Sequence, residues 1–163
     1  MPAHLIEFFS GWEKHNSLLV HAIKPLDAAQ LSWKAAPEQW DVRMLANHIV
    51  GARSWWFNGH MGEGGDGLAL LMDFDERADA EKRDAAEICA ALNDSWNVLD
   101  ACLRKWTEAD LKESFQRPSP NREGERPSRT RQYIVWHVAE HDVHHGGEIS
   151  LILGMHGLAG LDL

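Results

Sequence analysis

The sequence predicts an all-α fold, a four-helix bundle formed by a single domain over residues 1–163. Three observations predict it. Four long stretches place apolar residues at helical spacing. Segments rich in proline, glycine or charge separate them. No stretch alternates convincingly as a half-buried strand would, and the chain carries no internal repeat. With 163 residues, 44% of them apolar and eight of them tryptophan, the chain has enough apolar surface to close a core around such helices.

The first helix is expected from Ala3 to Ile23, where Leu5, Phe8, Phe9, Trp12, Leu19 and Ile23 follow helical spacing. Pro25 ends it, because the residue before a proline is pushed out of helical backbone. Asp27-Ala28-Ala29-Gln30 has the spacing of a capping box, so a short turn through Leu31 and Trp33 follows. The second helix begins after Asp41, a good N-cap, with Trp40 and Leu45 placed to staple its start. Leu45, His48, Ala52, Trp55 and Trp56 mark its expected inner face, with His48 at the centre. Residues 60–67, HMGEGGDG, are too rich in glycine to stay helical and read as a mobile loop near the site. No Lys-Ser/Thr follows those glycines, which argues against a phosphate-binding loop.

The third helix spans about Ala80 to Trp106, with an apolar stripe through Ala85, Ile88, Cys89, Leu92, Trp96, Leu99, Leu103 and Trp106. Thr107 and Asp110 allow a further capped turn. Residues 117–129, RPSPNREGERPSR, form a surface connection, since three prolines rule out a regular helix. The fourth helix runs from Thr130 to Gly154. The tail after it, MHGLAGLDL, is apolar enough to dock on the helices or on a partner subunit.

Composition narrows the function. A formal charge of −9 argues against nucleic acid as a partner. Cys89 and Cys102 are too few for a disulfide scaffold and read as core thiols of the third helix. No apolar run is long enough for a membrane span, and MPAHLIEFFSGWEKH has no secretory core, so a cytoplasmic protein without membrane contact is expected.

The fourth helix carries the chemistry. His137, His141, His144 and His145 lie on it, and His141 and His145 fall inside the apolar stripe with Ile134, Val138, Ile149 and Ile152. Two imidazoles four residues apart on a buried face can share one metal ion. His48 of the second helix is the candidate third ligand. Three neutral imidazoles leave coordination positions for water or substrate, the arrangement of a catalytic site, and Zn²⁺, Ni²⁺, Fe²⁺ and Co²⁺ all suit such donors. His137 and His144 lie on the shoulder and read as half-exposed helix residues, with alternative ligand, hydrogen-bonding or substrate roles open. Glu148 lies near His141 on the helical wheel, placed to orient a ligand imidazole, to hold a proton or simply to face solvent. Trp55 and Trp56 are either pocket walls or core.

The run WDVRMLANH ending at His48, then Trp55-Trp56, then HVAEHDVHHGGEI from His137 to Ile149, resembles the DinB/YfiT-like superfamily of metalloenzymes. The resemblance covers nearly the whole chain. It implies up-down-down-up helix order, frequent homodimers, and a divalent metal ion on His48, His141 and His145. Relatives commonly show Arg-Gly-Gln after the last histidine. This chain has Gly146-Gly147-Glu148, so contacts made by that Arg or Gln do not carry over. Known activities in the superfamily imply a metal-dependent thiol S-transferase acting on a small-molecule substrate with a low-molecular-weight thiol such as bacillithiol, glutathione or mycothiol. A metal-dependent hydrolase with Glu148 as general base is the second expectation. A non-catalytic, stress-related metal-binding module, its ion caged by His137 or His144 as fourth ligand, is the third.

Overall fold

The computed structural model describes residues 4–162 and is mostly helical. In chain order it contains α1 (Leu5–Phe8), α2 (Ser10–Ile23), α3 (Ala28–Leu31), α4 (Val42–Ser54), α5 (Gly65–Ala69), α6 (Ala85–Lys105), β1 (Ser114–Gln116), β2 (Ser128–Thr130) and α7 (Arg131–Met155). The four long helices are neighbours in a closed ring: α4 packs on α6 and α7, and α2 packs on α6 and α7.

The caps expected at Asp27 and Asp41 form, and Thr130 supplies another. Asp27 and Gln30 form the capping box of α3, Asp41 accepts from Met44 N at 2.7 Å, and Thr130 caps α7. Each satisfies amide groups that a helix start leaves unpaired. The stripe expected on α6 is buried throughout, from Ala85 to Trp106. Cys89 and Cys102 are buried free thiols, and burial pushes the Cys102 thiol up to about 11.

Several details differ from the sequence reading. The first helix is not continuous. It breaks at Phe9 because Leu5 docks on the end of α6, its amide bonded to Trp106 O, and Phe8 is left 82% exposed. Ala3 lies outside the described residues. The second helix does not fray at its glycines but widens into a π-helix, Trp55–His60. Gly65–Ala69 is helical as α5, packed with Gly64 and Gly67 against Val98 of α6. The third helix starts only at Ala85, behind an Asp84–Glu87 capping box, with a separate 3₁₀ turn at Ala80–Lys82. Strands were not expected, yet β1 and β2 pair antiparallel with Phe115 opposite Arg129. At three residues each they are too short to show alternation. The tail folds back onto α7, where Leu161 N bonds to Ser150 Oγ at 2.9 Å.

The core is divided. One apolar cluster holds Leu19, Ile23, Leu45, Ile49, Val50, Ile88, Leu92, Ile149 and Ile152. The other holds Trp12, Phe57, Trp96, Leu99, Leu103, Ile134, Val135 and Val138. Each long helix, α4 through its π-helical continuation, therefore contributes to both, and buried polar residues lie between the two sets: His15 and Asn16, Arg53, Ser95, and Asp142. Among the described residues, no helix is long and apolar enough to cross a membrane.

Leu99 is fully buried in the second cluster. Leu99→Ala is expected to lower unfolding stability by about 2–5 kcal/mol through lost contacts and a residual cavity. Chemical denaturation of parent and variant side by side checks this.

Candidate metal centre

The starts of α4 and α7 are both tied down. The Arg43 guanidinium bonds Ala28 O, Ser32 Oγ and Arg83 O, and Arg131 is ion-paired with Glu63 and Glu113. The two helices lie side by side and bring His48, His141 and His145 together. One ring nitrogen from each lies within 4.8 Å of the others. Ring centroids are 4.9 Å apart for His48–His141, 5.1 Å for His48–His145 and 4.4 Å for His141–His145.

Their setting differs from the one expected. The buried face of α7 runs through Val135, Val138, Asp142, Gly146, Ile149 and Leu153, and that of α4 through Val42, Ala46, Ile49, Val50 and Arg53. His48, His141 and His145 sit at the edges of these faces and are half-buried. At 100° per residue the true centre of the α7 face is roughly 80° from His141. Wheels weighted by apolar residues missed it because Asp142 and Arg53 occupy the centres. Asp142 Oδ2 accepts from Arg53 Nε at 2.8 Å and from Trp12 Nε1 at 2.6 Å, with both charged side chains at 0% exposure.

Edge positions put carboxylates within reach. His48 Nδ1 donates to Asp75 Oδ2 at 2.6 Å, and His145 Nδ1 donates to Glu148 Oε2 at 2.6 Å. Each bond fixes the ring and the tautomer, leaving Nε2 with its lone pair free. Asp75 comes from the connection between α5 and α6, which the sequence reading did not consider. Phe74, buried beneath the Arg83 guanidinium at 3.6 Å, anchors that segment. Gly51 admits it, since a Cβ there would stand 2.2 Å from Asp75 Oδ1. The glycines of 60–67 do not line this site; Asp73, Asp75 and Glu76 do.

His137 and His144 stay outside the triad. His137 donates to Glu140 at 3.0 Å and packs on Trp56, and His144 is exposed, 3.8 Å from Glu148. His144, His145 and Glu148 also have sharing distances. A neutral His145 cannot serve both groups, because the Nδ1 that would face the second one holds the proton donated to Glu148.

Burial lowers His141 to about 3, reinforced by its imidazole neighbours, and burial also lowers His145 against the pull of Glu148. His141 Nδ1 is buried without a hydrogen-bond partner. A neutral, desolvated ring with an unsatisfied nitrogen, flanked by two carboxylate-backed imidazoles, suits a divalent cation.

Two cavities open beside the triad. One of about 440 Å³ is lined by Trp40, Leu45, His145, Glu148, Leu151 and Ile152. The other, about 320 Å³, reaches His48 and His141 past Trp55, Trp56, Asp75 and His137. Trp40, expected only as a staple, stands edge-on to His48 at 4.8 Å.

Residues 12–149 match the sequence profile of the DinB superfamily. Among solved structures, the chain is similar to a DinB-like protein from Bacillus cereus, with 18% identity and a TM-score of 0.74, over 100% of this chain and 99% of that one. It is also similar to a DinB-like protein from Bacillus subtilis, with 16% identity and a TM-score of 0.62, over 98% and 93% of the two chains. At such identities these structures show the fold alone. No curated protein matches the sequence.

The metal-free protein is expected to lose stability in mild acid. A histidine whose folded pKa lies below the ordinary 6.5 stabilises only while neutral. The contribution of His141 is complete above pH 6.5 and is lost as pH falls from 6.5 toward 3. Thermal melting of chelator-treated protein at pH 7 and pH 5 should show this drop, and His141→Leu should flatten it.

Proposed function

This chain belongs to the DinB superfamily, and on that premise we propose that it is a divalent-metal-dependent enzyme, a thiol S-transferase using a low-molecular-weight thiol. The observation that carries the reading is the convergence of His48, His141 and His145 beside two cavities, with carboxylates behind two of the rings. A divalent ion on those nitrogens would be a Lewis acid that holds a thiol as its thiolate near neutral pH.

The chain's own residues do the rest. Asp75 and Glu148 orient His48 and His145, and burial keeps His141 unprotonated and ready to donate its lone pair. Trp40, Trp55 and Trp56 wall the cavities beside the triad and give a substrate apolar surface to pack on. The two cavities match a two-substrate reaction, one for the thiol and one for its electrophile. Glu148 is a positioning residue in this reading, because its carboxylate already holds His145; that disfavours the general-base role of a hydrolase. His137 pairs with Glu140 and His144 is exposed and outside the triad, which disfavours either as the fourth ligand of a caged, non-catalytic ion.

We also infer a four-helix bundle with up-down-down-up order. Support comes from the sequence in which the helices visit the two apolar clusters. In α2 and α7 the residues of the Trp12 and Ile134 cluster come first, whereas in α6, and in α4 with its π-helical continuation, they come last. The long connection carrying α5 is what two parallel neighbours, α4 and α6, require.

Elemental analysis is expected to find a divalent metal ion in the parent protein and none in the His48→Ala, His141→Ala, His145→Ala triple variant. Cobalt-loaded parent should develop sulfur-to-metal charge transfer with glutathione, bacillithiol or mycothiol. Silence with all three eliminates the transferase while leaving the metal site standing, and thiol-free turnover of activated esters would point to the hydrolase. Glu148→Gln is expected to weaken metal binding by about 10- to 100-fold without unfolding the protein, as loss of an orienting carboxylate does elsewhere. Competition with a metal-indicator dye measures it.

A further inference from the structure

We propose that the buried Arg53–Asp142 pair is a registry pin: it sets the rotation of α4 and α7 so that their histidines face one another. The proposal rests on the reading of the triad as a metal site. Arg53 follows His48 on α4 by five residues, and Asp142 directly follows His141 on α7. Any turn of either helix that breaks the pair also swings the imidazoles out of convergence.

The pair is built to resist such a turn. Asp142 Oδ2 receives Arg53 Nε, approaches Nη2 at 2.8 Å and receives Trp12 Nε1 from α2. Arg53 Nη1 donates to Asn16 Oδ1 at 2.9 Å on α2, and to Leu92 O and Ser95 Oγ, both at 3.0 Å, on α6. His15 Nε2 donates to the carbonyl of Asp142 at 2.9 Å. Gly146 makes room for that ring, since a Cβ there would lie 2.5 Å from His15 Cε1. All four long helices thus meet at one polar layer between the two apolar clusters.

Stability alone does not account for this layer. A buried ion pair often adds little or nothing over well-packed apolar residues of the same volume, because desolvation offsets attraction. What it does supply is selectivity. Leucine tolerates a slipped or rotated neighbour, whereas a buried carboxylate oxygen held by Arg53 Nε and Trp12 Nε1 loses its bonds when either helix turns. A slip of one residue along α7 turns its side chains by about 100° and would carry Asp142 away from Arg53.

The test compares three variants with the parent. Arg53→Met/Asp142→Leu replaces the pair with apolar side chains of similar size. Arg53→Lys keeps the charge, loses the fork, and serves should the double variant not fold. Leu99→Ala lowers stability without removing any hydrogen bond of the layer. The expected result is at least about a 10-fold weaker cobalt affinity, the scale seen when support of a ligand ring is lost, with an altered d–d spectrum, in the double variant and in Arg53→Lys. Leu99→Ala should keep the parent's affinity and spectrum. A purely structural role predicts instead that affinity follows stability across all three. Folded pin variants with parental affinity and spectrum overturn the proposal. Should the parent itself bind no cobalt, the metal reading fails, and the metal-free crystal structure of the double variant, or of Arg53→Lys in its place, decides the pin. Triad nitrogens still within 4.8 Å of one another refute it, and separated ones uphold it.

Discussion

A carboxylate and a guanidinium in a dry interior leave a protein little freedom, and Asp142 and Arg53 impose that constraint here. Neither has access to water, so each must find its partners inside. Breaking such a pair from one side typically costs about 3–5 kcal/mol, because the remaining charge stays buried and alone. The surrounding residues are selected by that need. Trp12 supplies its indole N–H, Asn16 and Ser95 supply oxygens to the guanidinium, and Leu92 supplies a carbonyl. The apolar core falls into two clusters because this layer lies between them.

With the charges in the middle of the α4–α7 contact, the histidines are displaced to its edge, and the edge is where a working site has to be. At the centre, three imidazoles would be sealed among aliphatic side chains with no room for a substrate. At the margin, His145 borders one cavity and His48 and His141 the other. The margin also lets acidic groups with partial solvent access reach the rings. Asp75 and Glu148 are both partly exposed, and their hydrogen bonds fix two of the three tautomers.

This geometry explains which features were legible in the sequence. His48 and the His141–His145 spacing stood out because helical periodicity is local, and so did the caps at Asp27 and Asp41. The centring of both helices was not legible, because hydrophobicity patterns count a charged residue as outward-facing. Arg53 and Asp142 each look like solvent residues until the other is found. Asp75 was hidden for a related reason: its bond to His48 depends on a turn held by Phe74 and on the missing side chain of Gly51, both matters of tertiary contact. The π-helix at Trp55–His60 and the short β1–β2 pair left no periodic trace at all.

The triad also divides the competition between proton and metal ion unevenly. His145 has a carboxylate partner that favours its protonated form, opposed by burial. His141 has no such partner, and burial together with four neighbouring histidines drives it lowest. Protonating it would place a positive charge on a desolvated ring whose neighbouring imidazole centroids lie about 5 Å away. A single divalent ion avoids that penalty, because it concentrates the charge at the centre and lets all three rings remain neutral donors. Burial makes His141 a poor base for protons, and with no carboxylate bonded to it among the described residues its lone pair stays available to a metal ion.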